Sequence, residues 1–305
     1  MNEIEKAVVG KRKLLEIILA AALSGGHVLV EDYPGLGKTL ISRSLAEVLG
    51  LDFKRIQFTP DLLPSDITGG YIYNRSSSEF ILRKGPLFGN IILADEINRA
   101  SPKTQSALLE AMQEYQVTLE GETMNLPKPF VVVATQNSIE YEGTFPLPEA
   151  QLDRFLVKVK VGYPNMQEEL EILERRRERQ TDEIHLEEVT SGEELIKIQQ
   201  TIEKVHIATE IERYIIRLVS ATREHEQVAV GASPRGSLAL LKLSRARAAL
   251  DGRDHVLPDD VKALLHPALV HRLILKPDMW LQPEAANEII DSVLNTIAVP
   301  VLENA

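Results

Sequence analysis

The 305-residue chain contains no cysteine. Disulfides, a thiol nucleophile and thiolate metal sites are therefore excluded, and a reducing compartment fits. Basic charge is short as well: 34 Lys and Arg stand against 45 Asp and Glu, a formal net charge of −11. A DNA-coating protein needs a basic surface, so this balance argues against one. Long hydrophobic runs are missing. The segment after Lys11-Arg12-Lys13 loosely copies a secretory signal, but Glu16 interrupts it and a strand with a glycine-rich loop follows. Its unbroken stretch, Ile17–Leu23, falls far short of the ~20 apolar residues that span a bilayer. An ordinary packed helix fits there, and with it a cytoplasmic protein. The seven histidines are dispersed and form no H-E-x-x-H pair, which makes zinc catalysis a poor reading.

What is present is an ordinary globular composition, 44% hydrophobic and 26% charged, over a length that suits about two domains. The first half alternates strand-like and helix-like segments. Strands are expected at 27–30, 53–58, 90–94, 130–134 and 156–161, the third and fourth as continuous apolar runs buried on both faces. Repeated β-α-β units predict an α/β fold, a parallel five-stranded sheet with helices on both faces. Ser101 and Pro102 mark a helix start, and Ala107, Leu108, Ala111 and Met112 form its apolar face. Two hairpins are expected as inserts, near 70–82 and 116–126. Beyond about residue 163 strand signals stop. Ser191 and Glu194 form a capping box, and Pro258 and Pro267 punctuate later helices. The expected division is an α/β core over 1–185 and a small all-α domain over 186–305.

Pro34-Gly35-Leu36-Gly37-Lys38-Thr39 follows a strand and opens a helix, the context of a phosphate-binding loop. Gly35 and Gly37 let backbone N–H groups close around phosphate oxygens, aided by the helix dipole. Lys38 suits the β/γ-phosphates and the Thr39 hydroxyl suits Mg²⁺. Asp32 stands where the full spacing asks for glycine. A tight turn that binds nothing is the alternative. Downstream, the run Ile91–Ala94 delivers Asp95 and Glu96 to a strand's carboxyl end, where open α/β sheets bind ligands. Asp95 would hold Mg²⁺ through water, and Glu96 would act as the base that polarises the attacking water.

Three further positions have two readings each. Asn137, in Thr135-Gln136-Asn137, either positions water or caps a turn. Arg154 suits an arginine finger or a salt bridge. Ser233 and Pro234 start a helix, which puts Arg235 in the first turn, where a cation opposes the dipole. Either a bound phosphate or a neighbouring carboxylate would relieve that clash.

The order of these motifs resembles the AAA+ ATPases, and the block Asp95–Glu114 resembles the MoxR family in particular. Ala134–Asn137, Glu142–Phe155 and Ser233–Gly236 share the likeness, which covers nearly the whole chain. The resemblance implies a P-loop NTPase core followed by a helical lid, with ATP or ADP and Mg²⁺ as ligands. It places Val8, Val9, Pro34, Gly35, Leu36, Gly37, Lys38, Thr39 and Leu40 around the nucleotide, and Thr39 and Asp95 at the metal. It assigns Asn137 to sensor 1, Arg154 to the arginine finger and Arg235 to sensor 2. Asp32 departs from the generic motif and bears on the loop's backbone path. Members form ring-shaped hexamers. They act with von Willebrand factor A-domain (VWA) proteins in chaperone-like remodelling, maturation or metal-cofactor insertion of protein clients. A nucleic-acid motor or loader is the alternative, which the acidic balance disfavours.

Overall fold

The computed structural model describes residues 1–137, 143–282 and 284–300. Its strands in chain order are β1 (Val28–Glu31), β2 (Phe53–Gln57), β3 (Gly69–Asn74), β4 (Glu79–Lys84), β5 (Ile91–Asp95), β6 (Gln116–Leu119), β7 (Glu122–Asn125), β8 (Val131–Gln136), β9 (Val157–Val159), β10 (Val228–Val230) and β11 (Ile274–Leu275). The five expected core strands form one sheet in the order β2-β5-β8-β1-β9. The pairs β2–β5, β5–β8 and β1–β8 are all parallel. The apolar runs identified above are its centre: Ile91, Ile92, Leu93 and Ala94 have no exposed surface, and Val131–Ala134 almost none. Burying each such aliphatic side chain is worth roughly 1.5–3 kcal/mol, which pins these strands to the middle of the sheet.

The two hairpins fold as expected, β3 on β4 and β6 on β7, both antiparallel. The helix Pro102–Glu114 starts on schedule with Pro102 in its first turn, but Ser101 makes no side-chain capping bond to the backbone. Its hydroxyl instead lies 3.3 Å from that of Thr104. The buried face is also shifted from the expected one: Thr104, Gln105 and Leu109 join Leu108, Ala111 and Met112, while Ala107 is only half-buried. Gln105 tolerates burial because its amide donates to the carbonyls of Ile97 at 3.1 Å and Phe145 at 2.8 Å. The segment after Lys11-Arg12-Lys13 is the helix Arg12–Leu23, with Leu15, Ile18 and Ala22 buried. Among the described residues no helix is long and apolar enough to cross a membrane.

The chain forms two compact units. The first comprises Met1–Glu16, His27–Leu147 and Val159–Ile196; the second comprises Ile17–Gly26, Pro148–Lys158 and the chain from Lys197 onward. The second unit is built on the helices Thr209–Glu224, Pro234–Leu250, Pro258–Leu269 and Ala285–Thr296. It departs from the all-α expectation in the antiparallel ribbon β10–β11 and in a single parallel bridge between His206 and His255. Segments of three and two residues are too short to show a period-2 pattern in sequence. Pro267 does not end its helix either, which continues to Leu269. A proline in a last turn removes only one backbone donor. The Ser191–Glu194 capping box is present, with both reciprocal bonds at 3.3 Å.

Candidate nucleotide-binding and hydrolytic site

The loop after β1 is built by its glycines. Gly35 and Gly37 have φ of +82° and +78°, the left-handed region that a β-carbon makes costly. Gly37 is also the N-cap of the helix Lys38–Val48, whose first turn carries no acidic side chain. Its positive end is therefore left for an anion from outside the helix. Lys38 Nζ donates to the carbonyls of Asp32 at 3.0 Å and Tyr33 at 3.1 Å, so the ammonium is folded over the loop's own backbone. Pro34, Gly35, Gly37 and Leu40 are exposed, and Leu36, Lys38 and Thr39 half-buried.

Asp32 answers the question its position raised. Its φ lies outside the left-handed region, so glycine is not required there. The side chain is buried and accepts two backbone N–H groups, from Tyr33 at 2.8 Å and from Gly162 at 2.6 Å. Asp32 thus ties the loop to the segment after β9. Val8 and Val9 are buried in the same unit. Arg175 donates to the Glu5 carbonyl at 2.6 Å, just before them, and Gly10 turns the chain just after them with φ +70°.

At the carboxyl edge of the sheet, Gln57 pairs with Asp95, and Ala94 with Ala134. That register brings Asp95 and Glu96 beside Thr135. The Thr135 hydroxyl donates to Asp95 Oδ1 at 2.7 Å and accepts the Glu96 N–H at 2.8 Å. The Arg55 guanidinium holds the other oxygen, Nη2 donating to Asp95 Oδ2 at 2.7 Å and Nε at 3.3 Å. Glu96 sits in the left-handed region, φ +57° and ψ +50°. Such a backbone costs a non-glycine residue about 1–3 kcal/mol, and residues of this kind cluster at functional sites. Its Oε2 accepts from Gln57 at 2.8 Å and Arg99 at 2.9 Å. Asn137 is buried directly after β8.

Four contributors escaped the sequence reading: Arg55, Gln57, Arg99 and Thr135. Arg55 and Gln57 are two apart on β2 and so share a face, a signal that becomes legible only once β2 is known to neighbour β5. Thr135 stands in the polar cluster at the end of β8, where its sequence carries no mark that separates it from Asn137.

The oxygen donors suit a hard cation. Among the described residues no group of three or more His, Cys, Asp or Glu could cage a metal alone. Mg²⁺ is commonly bound through one or two carboxylates together with substrate phosphates, and Thr39 and Asp95 fit that mode. A cation is already accommodated at Asp95 in the form of the Arg55 guanidinium.

In the second unit Asp153 is the organising carboxylate. Its Oδ1 accepts Arg272 Nε at 2.7 Å, and its Oδ2 lies 3.3 Å from the donating Ser233 hydroxyl and 3.9 Å from Arg235 Nε. Arg272 is nearly fully buried and also donates to the Phe155 carbonyl at 2.8 Å. Ser233 caps the helix through the Arg235 N–H at 3.2 Å, and Arg235 lies in the first turn as expected. The carboxylate that moderates Arg235 is thus Asp153, at a loose distance and with the arginine half-exposed, a pairing of ~1 kcal/mol at most. Arg154 follows Asp153 directly, its N–H donating to the Gln151 carbonyl at 3.2 Å. Within the Glu142–Phe155 motif, Glu142 lies outside the described residues.

Residues 27–157 match the family model for the ATPase family associated with various cellular activities (AAA), and residues 220–293 match an AAA lid domain. The chain is 44% identical to the chaperone MoxR1 of Mycobacterium tuberculosis over 307 residues, 98% of this chain and 81% of that protein. It belongs to the MoxR family of AAA ATPases. The MoxR-family chain is also 51% identical to the Bacillus subtilis protein YeaC over 305 residues, 100% of this chain and 95% of YeaC. A crystal structure of a candidate ATPase from Cytophaga hutchinsonii superposes with a TM-score of 0.92 at 42% identity, covering 98% of this chain and 93% of that one. The protein is therefore an ATPase with the AAA+ P-loop fold and a helical lid, and it binds nucleotide.

Proposed function

We propose that this ATPase hydrolyses Mg²⁺-bound ATP to drive chaperone-like remodelling, maturation or metal-cofactor insertion of protein clients, acting in the cytoplasm with a VWA-domain partner. In this reading Val8, Val9 and the loop Pro34–Leu40 hold the nucleotide, with Lys38 on its β/γ-phosphates. Thr39 and Asp95 hold Mg²⁺, which when bound offsets phosphate charge. Glu96 takes the proton of the attacking water and Asn137 orients that water. Arg154 and Arg235 stabilise charge developing on the γ-phosphate, Arg154 in the active site of a neighbouring subunit of a hexameric ring. The core 1–185 and lid 186–305 are the parts that move against one another.

The observation that carries the hydrolytic part is Glu96 itself. It is held in a costly backbone conformation at the carboxyl edge of the sheet, one residue from Asp95 and bonded to Gln57 and Arg99. A carboxylate so restrained suits a base whose position matters. The chaperone part draws support from the full-length likeness to a protein named as a chaperone.

Glu96→Gln tests both. The variant is expected to bind ATP while losing nearly all phosphate release; wild-type turnover would remove Glu96 from the role of base. Trapped with ATP, it is expected to retain a protein with a VWA domain. Stimulation of turnover by DNA, steeply reduced by salt, would point to a nucleic-acid motor instead. Mixing Arg154→Ala with Glu96→Gln subunits is expected to recover activity, and no recovery would exclude action between subunits.

A further inference from the structure

The two acidic residues at the end of β5 are joined by a polar chain through Arg55 and Gln57 of β2. Arg55 Nη2 donates to Asp95 Oδ2 at 2.7 Å and to Gln57 Oε1 at 2.7 Å. Gln57 in turn donates from Nε2 to Glu96 Oε2 at 2.8 Å. The amide of Gln57 is thus used at both ends, and one guanidinium orients it. All three members lie in one register, because Gln57 is the Cα partner of Asp95 and Arg55 precedes it by two on the same face of β2.

We propose that Arg55 is a tethered counter-ion for Asp95 which Mg²⁺ displaces when it arrives with nucleotide, and that Arg55 thereby sets how much Mg²⁺ the site requires. The inference rests on the reading of Asp95 as the carboxylate on the metal side. The physical case is one of competition. Asp95 Oδ1 is committed to Thr135, so Oδ2 is the oxygen Arg55 shares with any second cation. The carboxylate is mostly buried, with 13% side-chain exposure, and a lone charge there would be poorly solvated. Arg55 is 49% exposed, so it can swing into water at little cost when a divalent ion takes over the charge. As Arg55 leaves, Gln57 loses the partner on its Oε1, and its hold on Glu96 loosens with it. Arg55 is a positioning residue in this scheme and touches no substrate.

The test is Mg²⁺ titration of the binding of a fluorescent ATP analogue, with Arg55→Met, Arg55→Lys and wild type, and a parallel measurement in EDTA. Removing an exposed cation from this pairing is expected to lower the half-saturating Mg²⁺ about fivefold, equivalent to ~1 kcal/mol at 1.4 kcal/mol per tenfold. Arg55→Lys, which keeps the charge, is expected to stay near wild type, and affinity in EDTA to be the same for all three. A wild-type protein whose nucleotide affinity ignores Mg²⁺ would overturn the metal-side reading of Asp95 and this proposal with it. A Mg²⁺-responsive wild type with an unchanged Arg55→Met requirement would overturn the proposal alone. Loss of affinity in EDTA by Arg55→Met would do so too, because it would make Arg55 a nucleotide contact. Circular dichroism of the variants guards the comparison; half-exposed Arg55 holds up no core, so a native spectrum is expected, with a lower melting temperature for Arg55→Met because Asp95 loses its partner.

Discussion

Thr135 donates its hydroxyl proton to Asp95 across 2.7 Å while the same oxygen accepts the Glu96 N–H at 2.8 Å. One buried hydroxyl therefore serves as both donor and acceptor between the two carboxylate-bearing residues. Thr135→Val keeps the shape and removes both bonds, leaving a buried N–H without its partner. Stability is expected to fall by about 1–3 kcal/mol in urea unfolding, and ATP turnover to fall by more than tenfold as Glu96 loses its anchor. Thr135→Ser should restore most of both. A fully active Thr135→Val would show that Glu96 needs no such support.

Asp32→Gly puts the generic motif residue into the loop, and the structure predicts harm from it. The Gly162 and Tyr33 N–H groups lose their acceptor, and φ at this position gives glycine no advantage. A loss of about 1–3 kcal/mol is expected, with Asp32→Asn milder because it keeps one acceptor oxygen. Denaturant midpoints settle it; equal stability of Asp32→Gly and wild type would contradict the tie to Gly162.

Each compact unit contains a buried neutral histidine. His27 bonds the Met112 carbonyl at 2.9 Å and accepts the Val132 N–H at 3.0 Å, which makes Nε2 the protonated nitrogen. Burial pushes its pKa from 6.5 down to about 4, and that of His271 down to about 3, the latter aided by the neighbouring Arg272 charge. The folded values lie below the unfolded one, so unfolding takes up protons between them. Stability is full above about pH 6.5 and declines as pH falls through the folded values. The His27 shift alone is worth on the order of 3 kcal/mol. Melting temperature should hold from pH 7.5 to about 6.5 and then drop steadily to pH 4, and imidazole resonances assigned to His27 or His271 that titrate near 6.5 in the folded protein would disprove the account.

Arg272→Met is expected to be the most destabilising single change in the second unit. The side chain is 3% exposed and gathers Asp153 together with the carbonyl of Phe155. Breaking a buried pair by removing one partner costs about 3–5 kcal/mol. Because Asp153 precedes Arg154 and stands against Ser233 and Arg235, hydrogen exchange should rise at both 151–155 and 232–236. Faster exchange confined to 268–272 would show that Asp153 is held by other means.

Much of this was readable from residues alone, and the pattern of what was missed has a physical cause. The strands β5 and β8 announced themselves because being buried on both faces leaves no room for polar residues. Ser233-Pro234 and Ser191/Glu194 are local devices, settled within four residues of chain. Arg55 and Gln57 carry no local mark, since their meaning depends on which strand lies beside β2. Ser101 shows the converse failure: a residue type that suits a cap made none, because Thr104 offered its hydroxyl a nearby alternative. The ribbon β10–β11 was invisible because pairing across some forty residues of chain, not pattern, creates it.

The conformation of Asp32 also bears on how phosphate loops are recognised. A search template written as a string of letters treats its two glycines alike, whereas here Gly37 answers a constraint on a dihedral angle and position 32 a choice of hydrogen-bonding partner. A side chain at Gly35 or Gly37 would have to bear a left-handed backbone, at a cost of about 1–3 kcal/mol. Position 32 is open to any residue that can reach the Gly162 N–H, or that leaves another group to do so. A template weighted by φ would retain chains such as this one, and a template weighted by letters would discard them.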